Sequence, residues 1–369
     1  MLKKRILIFP FDLMSHYLRC ITLAQNYKEY DILFAHSDKY DVFVKKAGFG
    51  SFKVETFNSQ EVMNCAGKFD FSWLNLNSIE NIFLAQKQVI KDYKPYMVIG
   101  DTSPTLKMAA EILGVKYISL MNGYMTRFYA HVRPVSRNHY SYQYVSKLPP
   151  KIADTITAFA ERMAFKQIHK PFRNIRKKYG LRNITDYLSE LEGDENLICD
   201  EIYLFPQKNL PKNYKVIGPL LFSSKQDELP LLAQLDQTKP TICVCLGSSG
   251  NIKALSFLSE KEYSCVNIIV AGDQEQVING NHVYHKDFVN LEKILPRCSF
   301  LICHGGNGTI YEALRHKTYM LCLTSHFEQE WNVKRIEQLN LGILIDDSPQ
   351  ELINKQLELV VQNKKAIVL

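Results

Sequence analysis

Apolar runs of four to six residues, each followed by a longer stretch of helical period, recur in both halves of this 369-residue chain. That alternation leaves few folds open. Strands apolar on both faces need helices over both, which is the arrangement of a doubly wound parallel α/β sheet. In the first half the strands fall at Ile6 to Phe11, Ile32 to Ala35, Phe52 to Thr56, Tyr96 to Ile99 and Lys116 to Leu120. The second half repeats the plan at Thr241 to Leu246, Val266 to Val270, Val283 to Tyr284, Phe300 to Cys303, Met320 to Leu323 and Leu341 to Ile345. The pattern predicts two Rossmann-like domains, residues 1–221 and 239–369, joined by a polar and weakly periodic linker at 222–238 that holds Pro230. The last helix is expected to pack back on the first domain.

Charge is informative only locally. Forty-five Lys and Arg against 38 acidic residues give a net +7, too modest at this length to call for nucleic acid as a partner. Residues 126–182, however, carry thirteen Lys or Arg against Asp154 and Glu161 alone. Within this basic insertion Ile152, Ile156, Phe159, Met163, Ile168, Phe172 and Ile175 recur at near-helical spacing, with Pro171 expected to bend or break the helix. The insertion reads either as a solvated face on helices packed against the first sheet or as a surface for an anionic membrane or acidic acceptor.

Nine scattered cysteines with no C-x-x-C pair argue against a zinc site or a disulfide framework and for a reducing, cytoplasmic setting, peripheral at the inner membrane face if the insertion meets lipid. Cys243 and Cys245 read as small buried hydrophobes. Lys3-Lys4-Arg5 and the apolar run after it are too short for a signal peptide, and nothing approaches the ~20 apolar residues of a membrane span.

In a sheet wound 3-2-1-4-5, ligands bind beyond the carboxyl ends of the strands, beside the loops after the first and fourth. Those loops hold His16 and Asp101 in the first half, and Gly247-Ser248-Ser249-Gly250 and His304-Gly305-Gly306-Asn307-Gly308-Thr309 in the second. The latter places three glycines between a buried strand and a helix start, where free amides and the helix dipole favour phosphate and Thr309 adds a hydroxyl. The serine-containing loop after Thr241 to Leu246 supplies a second set of amides to the same pyrophosphate. Glu312, one turn further, is within reach of ribose. A glycine turn that merely permits tight packing is the plainer alternative.

These residues, together with Glu312-Ala313-Leu314, Phe327-Glu328-Gln329 and Asn332, resemble the nucleotide-sugar glycosyltransferases of the broad UDP-glycosyltransferase group. The likeness covers Leu291 to Gly342 closely, and Pro95 to Leu120 and the first strand with Ser15-His16 more loosely. It implies the GT-B fold, two Rossmann-like domains facing across a cleft. It further implies that His304, Gly308 and Thr309 meet the donor pyrophosphate, Glu312 the ribose, Glu328 and Gln329 the sugar hydroxyls, and an aromatic near Phe288 the base. His16 would be the general base toward the acceptor hydroxyl, oriented by Asp101. As plainer alternatives, His16 caps the first helix and Asp101 the next.

The implied reaction is transfer from a UDP- or dTDP-sugar to an acceptor hydroxyl, with inversion, without metal, and with no cofactor beyond the co-substrate. The acceptor, whether small molecule, glycan or lipid, is not legible. A nucleotide-sugar epimerase of similar architecture and a catalytically silent nucleotide-sugar-binding partner of another transferase are the rival expectations.

Overall fold

A computed structural model describes residues 3–223, 228–247 and 250–363, and the chain divides into two compact units between Phe222 and Ser223. The first unit is built on a wholly parallel seven-stranded sheet: β1 (Arg5–Pro10), β2 (Asp31–Ala35), β3 (Gly50–Phe52), β4 (Met97–Asp101), β5 (Lys116–Met121), β6 (Glu195–Ile198) and β7 (Tyr214–Val216), in the order 3-2-1-4-5-6-7. Side chains alternate across β1. Leu7 and Phe9 join the core on one face of the sheet, and Ile6 and Ile8 join the core on the other. Strands β6 and β7 were not expected. They are only four and three residues long, and Glu195 of β6 is ion-paired to Lys116 and Lys215, so neither carries an apolar run to announce it.

The insertion folds as three helices, Tyr142–Val145, Pro150–Ile168 and Lys170–Lys178, the break falling at His169 just before Pro171. A proline is tolerated in a first turn, where its missing amide donor costs nothing. Phe165, Phe172 and Ile175 pack into the first unit's core. Arg176 is buried between Glu190 and Glu111, and Arg133 is paired with Glu161, so part of the basic excess is internal. The apolar spacing does not all face inward. Ile152, Ile156, Phe159 and Met163 are 50%, 46%, 62% and 44% exposed, on the face opposite buried Thr157 and Phe165.

The second unit holds a wholly parallel six-stranded sheet: β8 (Thr241–Cys245), β9 (Asn267–Ala271), β10 (Val283–Lys286), β11 (Phe300–Cys303), β12 (Tyr319–Cys322) and β13 (Gly342–Leu344), in the order 10-9-8-11-12-13. Its final helix, Pro349–Asn363, expected to pack back on the first domain, instead contributes Ile353, Leu357 and Val360 to this unit's own core. In the stretch expected as a linker, Leu231 and Leu235 are buried, a short helix spans Leu229–Leu232, and the buried Glu228 carboxylate accepts a hydrogen bond from the Asn290 amide at 2.7 Å. That segment is therefore part of the second unit's packing. Cys243 is fully buried, while Cys245, at the strand end, is only partly so.

Candidate active site

In the first unit, β1 and β4 lie side by side with Pro10 level with Asp101, so the loop after β1 and the end of β4 open on the same edge. The chain turns there into the helix Met14–Ala24, whose cap position is Leu13, and His16 sits in its first turn. His16 therefore does not cap the helix. Its Nδ1 is 2.8 Å from Asp101 Oδ1, and the Phe11 ring meets its imidazole edge-on at 5.8 Å. Asp101 does not cap the next helix either, since that helix, Leu106–Leu113, has Thr105 at its cap. A carboxylate accepts only, so the proton between them sits on Nδ1 and leaves Nε2 as the basic nitrogen.

Asp101 is completely buried and makes a second set of contacts that the sequence did not announce. Arg19 Nε and Nη2 donate to its two oxygens, and Arg19 Nη1 donates to Asn122 Oδ1. Burial alone would raise the Asp101 carboxyl. The Arg19 charge and His16 outweigh it and hold the group well below the usual carboxylate range. The residue that follows, Thr102, has φ +52°, a left-handed conformation unfavourable for a β-branched side chain.

The second unit's site forms where β8 and β11 run side by side, Cys245 level with Cys303. His304 leaves the end of β11, and its ring lies between two glycines. A Cβ on Gly247 would come 2.7 Å from His304 Cε1, and one on Gly306 would come 2.4 Å from Nε2. The glycine loops after the two strands thus close on one imidazole. Gly305, at φ +80°, turns the chain against Val333, and Asn332 Nδ2 braces the turn by donating to the Gly305 carbonyl at 2.9 Å. Ser248 and Ser249 lie outside the described residues.

The helix Asn307–Arg315 begins here with Gly306 as its cap, which offers no side chain to the first-turn amides. Asn307, Gly308 and Thr309 form that turn. A Cβ on Gly308 would meet nothing within 4 Å. No protein neighbour therefore demands glycine there, whereas a group docking on the helix end would. One turn on, Glu312 is buried with its Oε2 3.8 Å from His316 Nε2 but without a hydrogen-bond partner, and burial raises its carboxyl above the ordinary range.

Burial holds His304 down to about 4, offset only in part by the Cys245 backbone, and its Nδ1 is buried without a partner. His326, at the cap of the helix Phe327–Gln338, was not singled out from sequence. Burial and neighbouring His304 also hold it down to about 4. Glu328 is half-buried in the first turn of that helix. Gln329 is buried, with its Oε1 taken by the Ser325 amide at 2.7 Å, so it shapes the loop before the helix. Phe288 is half-buried beyond the end of β10, on the same sheet edge as His304. Among the described residues no group of three or more His, Cys, Asp or Glu is placed to hold a metal ion, and no helix is long and apolar enough to cross a membrane.

The chain is similar to several known proteins. Residues 242–368 match the model of the glycosyltransferase family 28 C-terminal domain. A PGL/p-HBAD biosynthesis glycosyltransferase of Mycobacterium tuberculosis (strain ATCC 25177 / H37Ra) is 23% identical over 355 residues, covering 90% of this chain and 78% of that one. A PGL/p-HBAD biosynthesis rhamnosyltransferase of Mycobacterium bovis (strain BCG / Pasteur 1173P2) is 21% identical over 342 residues, covering 90% and 74%. Among solved structures, the spinosyn rhamnosyltransferase SpnG complexed with thymidine diphosphate superposes with a TM-score of 0.66 at 15% identity, covering 97% of this chain and 92% of that one. Fold, C-terminal domain and full-length relatives agree: the chain is a UDP-glycosyltransferase-like enzyme of the GT-B fold that transfers sugar from a nucleotide donor.

Proposed function

We propose that this enzyme moves a sugar from a UDP- or dTDP-sugar to an acceptor hydroxyl by direct displacement, with inversion at the anomeric carbon. The observation that carries this is the His16–Asp101 pair, whose 2.8 Å contact leaves Nε2 free to take the hydroxyl proton as the oxygen attacks. Negative charge then develops on the departing nucleoside diphosphate. The first-turn amides of Asn307–Arg315, with His304 and Thr309, offer a preorganised home for it, so the reaction needs no metal. Glu312 Oε2, which accepts no hydrogen bond, suits a ribose hydroxyl. Gly247, Ser248 and Ser249 would flank the phosphates, Phe288 the base, and Glu328 and Gln329 the sugar.

Because relatives in two comparisons are rhamnosyltransferases, one of them bound to thymidine diphosphate, dTDP-rhamnose is the first donor to try. The test is a thermal-shift screen of UDP- and dTDP-sugars in EDTA, followed by mass spectrometry of acceptor mixtures. A glycosylated product made in EDTA is expected. Donor turnover only to an isomer would favour an epimerase, and binding with neither transfer nor hydrolysis would favour a silent partner.

A second element concerns where the acceptor is met. The exposed Ile152, Ile156, Phe159 and Met163 line one face of the helix Pro150–Ile168, beside exposed Lys151, Arg162 and Lys166. An apolar stripe edged by cations matches an anionic lipid surface, supporting a cytoplasmic enzyme peripheral to the membrane.

A further inference from the structure

Arg19 lies three residues after His16 on the helix Met14–Ala24, so the two side chains leave the same face and reach the same carboxylate. Its Nη2 and His16 Nδ1 both meet Asp101 Oδ1, and its Nε holds Oδ2. A carboxylate gripped at both oxygens cannot rotate away from the imidazole. The grip is itself fixed. Arg19 is 11% exposed, its Nη1 is tied to Asn122 beyond β5, and Asn122 Nδ2 donates to the buried Tyr124 hydroxyl.

The guanidinium also stands 3.3 Å from His16 Nδ1, against 2.8 Å for the carboxylate, so it flanks the contact it holds. We infer that Arg19 is a positioning residue of sugar transfer: it fixes Asp101 against His16 Nδ1, so that the ring is held with Nε2 turned to the acceptor hydroxyl. The inference rests on the reading of His16 as the base.

The other titratable groups packed around this pair are Cys20 on the same helix, Tyr117 on β5 and Cys199 after β6. Burial pushes both thiols and the Tyr117 phenol up, so these three stay neutral. Arg19 is the cation facing Asp101.

The experiment is nuclear magnetic resonance of histidine-labelled protein at a fixed pH, with the His16 signals assigned through His16→Gln. In wild type the Nδ1 proton held against Asp101 should give one sharp, exchange-protected resonance. In Arg19→Met the carboxylate is free to turn, and that resonance should broaden or vanish while kcat falls about tenfold at unchanged nucleotide affinity. Arg19→Lys, which keeps a charged donor, should stay close to wild type.

An unaltered Nδ1 proton resonance in folded Arg19→Met, or transfer there as fast as in wild type, overturns the inference. The base reading is judged separately by the transfer rate of His16→Ala. Lost transfer there with an unaltered Arg19→Met resonance removes only the role of Arg19, whereas undiminished transfer removes both.

Discussion

Glu312 and His304 were both visible from sequence because the chemistry of the donor loop is local, ten consecutive residues from Cys303 to Glu312. The structure adds that each keeps a buried polar atom with no hydrogen-bond partner. Removing the Glu312 carboxylate should cost nucleotide binding about 1.5 to 3 kcal/mol, the range for a hydrogen bond to a charged group. Calorimetric titration of Glu312→Ala with UDP and dTDP checks this, and wild-type affinity in a folded variant would refute it.

The two depressed histidines predict a pH dependence. Each falls from an ordinary 6.5 to about 4 on folding. Between those values the unfolded chain binds more protons than the folded one, so the second unit's stability is complete above about pH 6.5 and is lost as pH falls toward 4. The melting temperature of the unliganded protein should drop over that window. Nucleoside diphosphate, whose charge favours the imidazolium, should be bound with proton uptake near pH 5, seen as a buffer-dependent calorimetric enthalpy. A flat melting profile and buffer-independent heat would contradict the buried, neutral state of both rings.

At the scale of elements, the glycine loop separates two demands that sequence alone runs together. Gly306→Ala would drive a Cβ into His304 and should damage both fold and binding. Gly308→Ala meets no protein atom and replaces a poor helix former with a good one. It should therefore leave stability unchanged or raise it by up to about 1 kcal/mol, while weakening nucleoside diphosphate binding. Denaturant melts beside titrations of Gly308→Ala check this, and unaltered affinity would mean the glycine serves no ligand.

The helix Pro150–Ile168 makes the parallel point for the first unit. Its apolar spacing was legible in the sequence, but periodicity cannot say which of two apolar faces is covered, and four of the residues face outward. Ile156→Ser with Phe159→Ser should change stability little and reduce sedimentation with phosphatidylserine-containing vesicles. Equal recovery of variant and wild type with those vesicles would exclude a membrane role for this face.

For the whole molecule, two parallel sheets were readable because β1, β4, β8 and β11 are apolar runs buried on both faces, while the order 3-2-1-4-5 was a condition that the structure meets in both. That order alone was enough to select His16 and Asp101, 85 residues apart, as neighbours. What stayed hidden rests on contacts that no local pattern encodes. Arg19 meets Asp101 across 82 residues and Asn122 across 103, and an arginine on a helix reads as an exposed charge until its partners are seen.

The resulting account divides the labour, with the base and its support in the unit ending at Phe222 and the donor-binding loops in the unit that follows. Its most direct test is steady-state transfer by folded His16→Ala at saturating donor, with nucleotide affinity titrated on the same sample. The account predicts a rate lower by about 10² to 10⁴, the usual worth of a general base, with affinity for UDP or dTDP unchanged. Transfer within a few-fold of wild type would contradict it.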